Sequence, residues 1–213
     1  MSALTELYRE IALCKKCEIA KSRTKAVPGE GAENADIMFI GEAPGWHEDQ
    51  QGRPFVGPAG KFLDDLLASI KLKRQEVYIT NVIKTRPPNN RDPLPDEITN
   101  CRPWLDRQIE LIRPKMIVPL GRYSMAMFFP GKTISKIHGT AQKQNGVLYF
   151  AMYHPAAALQ QQNLRQTLQS DMLKIPALLA EARSIPEVKP EPESEPKPAA
   201  APPQPKPQQL KML

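Results

Sequence analysis

The sequence is short of the features that would place it in or beyond a membrane. No apolar run approaches the roughly 20 residues needed to cross a bilayer. The opening stretch, MSALTELYREIALCKKC, lacks the charged-then-apolar order of a secretory signal. The expectation is a cytoplasmic protein. Cysteine is scarce too, with only Cys14, Cys17 and Cys101. An odd number of thiols fits a disulfide framework poorly and fits metal or iron–sulfur ligation in a reducing compartment better. No internal repeat is visible.

What is present falls into two parts. From 184 to 213 the chain is rich in Pro, Glu, Lys and Ala and nearly free of apolar side chains until its last residues, a composition that cannot offset its ordering entropy. The division is therefore one domain over residues 1–183 and a disordered Pro-rich tail over 184–213. In that tail Lys189, Lys197, Lys206 and Lys211 balance Glu187, Glu191, Glu193 and Glu195, so the net charge of +6 sits on the domain. A basic domain favours a polyanionic partner, although many basic proteins bind none.

Within the domain, IMFI at 37–40, VYIT at 77–80, MIVPL at 116–120 and VLYFAMY at 147–153 read as strands. Between them AGKFLDDLLASI, PDEITNCRPWLDRQIELI and GRYSMAMFF place apolar residues every three or four positions, as amphipathic helices do. Further helices are expected at 2–13 and 164–183. The pattern predicts an α/β fold, a three-layer sandwich around a central, mostly parallel four-stranded sheet.

Such sheets bind ligands beyond the carboxyl ends of their strands. After IMFI comes the turn Gly41-Glu42-Ala43-Pro44-Gly45, after VYIT comes Asn81, and after VLYFAMY comes His154-Pro155. A carboxylate, an amide and an imidazole thus stand at three strand ends. Each alone is weak, since a Glu in a Gly-Pro turn is usually solvated and a lone His or Asn is usually structural; their coincidence points to one site.

These segments resemble a known family, the family 4 uracil-DNA glycosylases of the uracil-DNA glycosylase superfamily. The likeness rests on GEAPG at 41–45, EDQQGRPFVGPAG at 48–60, VYITNVIKTRPPNNRDPLPDE at 77–97, YHPA at 153–156 and the N-terminal C-x-x-C. It implies hydrolysis of the N-glycosidic bond of deoxyuridine in DNA, leaving an abasic site and starting base excision repair. The alternatives are a broader glycosylase acting on hypoxanthine or xanthine, and a non-catalytic nucleic-acid-binding module of the same fold.

By resemblance, Phe55 stacks on the flipped uracil, the blander reading being a core side chain. Asn81 reads the base, Gly41 and Ala43 lie in the substrate-binding turn, and Glu48 is the barrier to the thymine methyl. His154 stabilises the leaving anion, Glu42 orients water or steadies the sugar cation, and Asn90 assists by holding Glu42 or the water. No lysine stands at a nucleophile position, so a monofunctional enzyme is expected. Lys84, Arg86, Arg91 and Arg165 are expected phosphate contacts, against the reading that such loop charges are merely solvated. Leu159 is a candidate wedge for the gap in the stack, or a helix-packing contact.

The resemblance also implies a [4Fe-4S] cluster on four cysteines. Cys14, Cys17 and Cys101 match three of them, and Thr85 stands at the fourth position, where a hydroxyl is a poor ligand for iron. A cluster with one labile iron, a three-iron cluster and no cluster all remain open. Finally Gln209, Leu210, Met212 and Leu213 look like a sliding-clamp-binding peptide on a flexible tether, or an unstructured terminus. A monomer acting on uracil-containing DNA near the nucleoid, away from membranes, is the expected state.

Overall fold

The computed structural model describes residues 1–185, so the clamp-like segment at 209–213 lies outside the described residues. The four apolar runs form the middle of a sheet: β2 (Ile37–Gly41), β3 (Tyr78–Asn81), β4 (Met116–Pro119) and β6 (Val147–Phe150) are parallel neighbours in the order β3-β2-β4-β6. Two further strands extend the expected four to six. β1 (Glu30–Gly31) pairs antiparallel with β3, and β5 (Ala141–Gln144) pairs antiparallel with β6.

Burial on both faces explains the runs without alternation. In β2, Ile37 and Phe39 enter one apolar cluster while Met38 and Ile40 enter another. The first cluster is closed by α3 (Pro58–Ser69), α8 (Gln162–Met172) and α9 (Ile175–Ser184), which contribute Phe62, Leu66, Leu168, Met172 and Leu179. The second is closed by α1 (Ala3–Leu13) and α4 (Pro95–Ile112) through Leu7, Ile11, Cys101 and Leu105. The helix expected over 164–183 divides into α8 and α9, because Pro176 has no N–H to continue the ladder and starts a new first turn.

Three short helices lie near the strand ends: α2 (Trp46–Gln51), α5 (Arg122–Phe128) and α7 (Pro155–Gln160). The chain leaves β2 for β3 on one side and later returns to β4 on the other. The sheet therefore has its switch point beside β2, where a crevice opens past the carboxyl ends. Among the described residues no helix is long and apolar enough to cross a membrane.

Candidate active site

A cavity of about 680 Å³ lies at that switch point, and Glu42, Ala43, Glu48, Phe55, Asn81, Asn90 and His154 all line it. Residues far apart in sequence therefore share one space. Asn81 ends β3 with 1% of its surface exposed, and its Oδ1 has no hydrogen-bond partner among the described residues. A buried acceptor left open costs about 1–3 kcal/mol, so a ligand N–H is what completes it. Gly41 is needed at this point, since a Cβ there would lie 2.4 Å from Asn81 Oδ1 and 2.6 Å from Phe55 Cζ.

Phe55 adopts a left-handed backbone with φ 50°. Two clamps hold it there. Arg74 donates to the Phe55 carbonyl at 3.0 Å and to the Pro54 carbonyl, while Glu48 Oε1 accepts from the amides of Val56 and Gly57, each at 2.9 Å. Neighbours that over-determine a strained residue are how such a conformation persists. Glu48 also accepts from the Gly45 amide at 3.1 Å, so its carboxylate fastens two loops together at the cavity wall. The Phe55 ring both belongs to the core and lines the cavity, stacking on His154 with centroids 5.5 Å apart. The two readings of Phe55 were not exclusive.

His154 caps the N-terminus of α7, its Nδ1 accepting from the Ala156 amide at 3.1 Å. Burial pushes its pKa down to about 4. The imidazole is therefore neutral at pH 7, and with Nδ1 acting as acceptor its one proton belongs on Nε2, leaving a donor. Gly121, at φ 84°, lets the chain pass close behind, where a Cβ would come within 2.9 Å of the His154 Cβ.

Glu42 has the opposite perturbation. Burial first, then the neighbouring Asp92 charge, raises its carboxyl to about 7, against the pull of Arg122. Asp92 and Arg122 form an ion pair and both line the cavity. The sequence reading missed this pair, although the strand-end rule points to one half of it: Gly121 and Arg122 follow β4 as Glu42 follows β2, whereas Asp92 lies in the loop before α4.

The expected DNA contacts divide. Lys84 is a correction, because its side chain is buried at 1% exposure, and burial pushes its ammonium down to about 7. It bonds Thr80 Oγ1, the Asn81 carbonyl and Gln108 Oε1, and so faces away from any phosphate. Arg91 lines the cavity but is held by Glu97 through two hydrogen bonds of 2.9 and 2.6 Å. Arg86 donates to Asn90 Oδ1 at 2.7 Å. Arg165 lies over the Phe62 ring at 4.5 Å. Leu159 is 50% exposed in the second turn of α7.

At the cysteine end, Cys14 caps α1, Cys17 precedes a short 3-10 helix and Cys101 is buried in α4. Thr85 is buried, and its hydroxyl accepts from Arg23 at 3.1 Å. Arg23 also donates to the carbonyls of Ala12 at 2.6 Å and Cys14 at 2.9 Å, satisfying the last turn of a helix that has no basic residue of its own there. Among the described residues no group of three or more His, Cys, Asp or Glu is arranged to hold a metal ion. The donors present do not fit a four-thiolate iron–sulfur cluster: the fourth is a hydroxyl, and a guanidinium already occupies it.

Comparison with known proteins now decides the family, since the model for the uracil DNA glycosylase superfamily matches residues 28–175. The chain belongs to that superfamily. It is 50% identical over 188 residues to a Type-4 uracil-DNA glycosylase of Sulfurisphaera tokodaii, covering 84% of this chain and 86% of that protein. A Type-4 uracil-DNA glycosylase of Archaeoglobus fulgidus is 48% identical over 187 residues, 84% of this chain and 94% of the other. A Type-5 enzyme of Pyrobaculum aerophilum is less similar, 34% identical over 150 residues, with 62% and 66% covered. Within the superfamily the likeness is thus greater to the Type-4 proteins.

Proposed function

We infer that this chain excises uracil from DNA, hydrolysing the bond between uracil N1 and the deoxyribose C1′ to leave an abasic site and start base excision repair. The observation that carries the reading is the unpartnered Oδ1 of Asn81 on the wall of the cavity. Uracil N3–H supplies the missing donor, and the other side of the amide donates to O4. Cytosine presents an acceptor at N3 and leaves Oδ1 unpaired, at a cost of about 1–3 kcal/mol.

The nucleotide is rotated out of the stack at a cost of a few kcal/mol. Phe55, fixed by its two clamps, offers a face on which the base stacks, and Glu48 supports exclusion of the thymine methyl. As the C1′–N1 bond breaks, its electron pair passes to the base. The Nε2–H of neutral His154 donates to the growing negative charge at O2 without carrying a charge that must be desolvated. Glu42, as carboxylate, steadies the cationic sugar and takes the proton of the water that attacks C1′. Among the described residues no lysine lines the cavity, which supports a reaction that stops at the abasic site without an imine. No step passes through iron.

Leu159 supplies an exposed apolar side chain for the vacated stack, and Arg86, Arg91 and Arg165 supply cations near the cavity or its rim. We read the protein as a monomer acting at the nucleoid, with Gln209, Leu210, Met212 and Leu213 docking on the sliding clamp. Recovery on immobilised clamp, full chain against a chain stopped at Lys206, tests that contact; equal recovery ends it. For the main reading, the protein is incubated with an oligonucleotide bearing one uracil and then treated with alkali. Cleavage at uracil and not at cytosine or thymine is expected. Retention of the oligonucleotide without cleavage overturns the reading.

A further inference from the structure

Lys84 is a buried ionisable group that this chemistry leaves without a task. Its ammonium has three N–H donors and meets three acceptors: the Asn81 carbonyl at 2.6 Å, Thr80 Oγ1 at 2.7 Å and Gln108 Oε1 at 2.7 Å. Those partners are themselves tied. The Thr80 hydroxyl donates to the Pro28 carbonyl at 2.7 Å. Gln108 Nε2 donates to the same carbonyl at 2.7 Å and to the Tyr78 hydroxyl at 2.9 Å, and Tyr78 shares a hydrogen bond of 2.7 Å with the Tyr8 hydroxyl. The network joins α1, the segment before β1, β3 and α4 behind the cavity wall.

A surface lysine does none of this, and an isolated buried ammonium is costly. The location gives it a purpose. Asn81 is the last residue of β3, and the next two amides bond back to the carbonyls of Gly41 and Glu42 at 3.0 and 3.2 Å. The peptide after Asn81 is therefore fixed through Val82 on its amide side and through Lys84 on its carbonyl side. Rotation of that peptide swings the Asn81 side chain, and an amide free to rotate accepts cytosine as readily as uracil.

We propose that Lys84 is a positioning residue for base recognition, its ammonium locking the end of β3 so that the Asn81 amide meets the base in one orientation. The proposal rests on the reading of Asn81 as the residue that contacts uracil, and a double-mutant cycle separates the two. Specificity constants on a single-uracil oligonucleotide are measured for wild type, Lys84→Met, Asn81→Ala and the double variant, at a temperature where thermal melts show each folded.

Lys84→Met is expected to lower kcat/KM roughly 10- to 100-fold in the wild-type background. In the Asn81→Ala background it is expected to lower it by less than about threefold, because the residue through which it acts is gone. Tyr8→Phe loosens the far end of the network without touching Lys84, so it lowers the melting temperature and leaves kcat/KM within about threefold. Equal losses from Lys84→Met in both backgrounds, or a Tyr8→Phe loss as large as that of Lys84→Met, overturn the proposal. Should Lys84→Met not fold, Lys84→Gln, which keeps two donors, carries the cycle under the same criteria. An Asn81→Ala variant with wild-type activity sinks the recognition reading, visibly and in a single variant, and the Lys84 proposal with it.

Discussion

The segment that leaves β3 serves two neighbourhoods, and they differ in how complete they are. At Asn81 it faces a cavity in which several of the lining residues are held by other protein groups. Glu48 and Arg74 hold Phe55, the Ala156 amide holds His154, and Lys84 holds the peptide of Asn81. Four residues later, at Thr85, a hydroxyl stands where a fourth thiol would complete the set of Cys14, Cys17 and Cys101, and it accepts from Arg23. Among the described residues the first neighbourhood leaves the Asn81 Oδ1 acceptor open, the group that the proposed reading pairs with uracil N3–H. The second is closed by a guanidinium. The contrast teaches that the cavity is held in shape by hydrogen bonds and packing from groups other than the cysteines.

The hardest blow to that contrast falls on the cavity side. His154→Ala removes the Nε2 donor from the developing anion, and kcat/KM on a single-uracil oligonucleotide is expected to fall roughly 10²–10³-fold. Stability is expected to lose only the helix cap, about 1 kcal/mol. A variant within tenfold of wild type in kcat/KM shows that the imidazole is not the anion's partner.

A smaller effect sharpens the comparison through pH. Glu42 must be a carboxylate to work, and its pKa stands at about 7, so kcat/KM should rise with pH through that value and level off above it. His154, at about 4, remains neutral throughout this range and adds no limb of its own. Asp92→Asn removes a like charge from beside Glu42 and should move the limb to lower pH. Arg122→Met removes the opposing cation and should move it to higher pH. Both are read from kcat/KM profiles between pH 5 and 9. A limb that moves the same way in both variants contradicts the assignment to Glu42.

How much of this was legible in the sequence varied with its physical origin. β2, β3 and β4 were legible as short runs buried on both faces, and β6 as an apolar run with one face buried and the other partly so. β1, two residues long, and β5, the exposed AQKQ, were not, since backbone pairing alone defines an edge strand that buries no apolar pattern. Glu42, Asn81 and His154 were legible because strand ends in parallel sheets converge. Asp92 and Arg122 were missed for different reasons: Arg122 follows the end of β4, so the strand-end rule reaches it, whereas Asp92 lies in the loop between β3 and α4, where no local pattern marks it. Lys84 was misread, since its neighbours in sequence form a basic loop and nothing local says which way a side chain turns. Arg23 left no signal at all. Three of its partners are backbone carbonyls, which no residue identity announces, and the fourth is Thr85, 62 positions away.

The smallest effect on activity is expected at the cysteine end. Cys14→Ser and Arg23→Gln leave every residue of the cavity in place, so kcat/KM should stay within about threefold of wild type below the melting temperature. Their stability effects should differ. Arg23→Gln strips donors from the last turn of α1 and from Thr85, a loss of about 1–3 kcal/mol. For a chain of this size that is a fall of roughly 2–12 °C in melting temperature. Cys14→Ser should cost less if no complete cluster depends on that thiol. Iron analysis sharpens the same point: protein purified without air should carry fewer than four irons per chain, and Thr85→Cys, which supplies the missing thiolate, should raise the content and the visible absorption. Four irons in the wild type, with Cys14→Ser more damaging to the melt than Arg23→Gln, would transfer the role of the tie from the guanidinium to a metal cluster. Even then the activity comparison stands apart, because it asks only whether the cavity notices what happens four residues beyond Asn81.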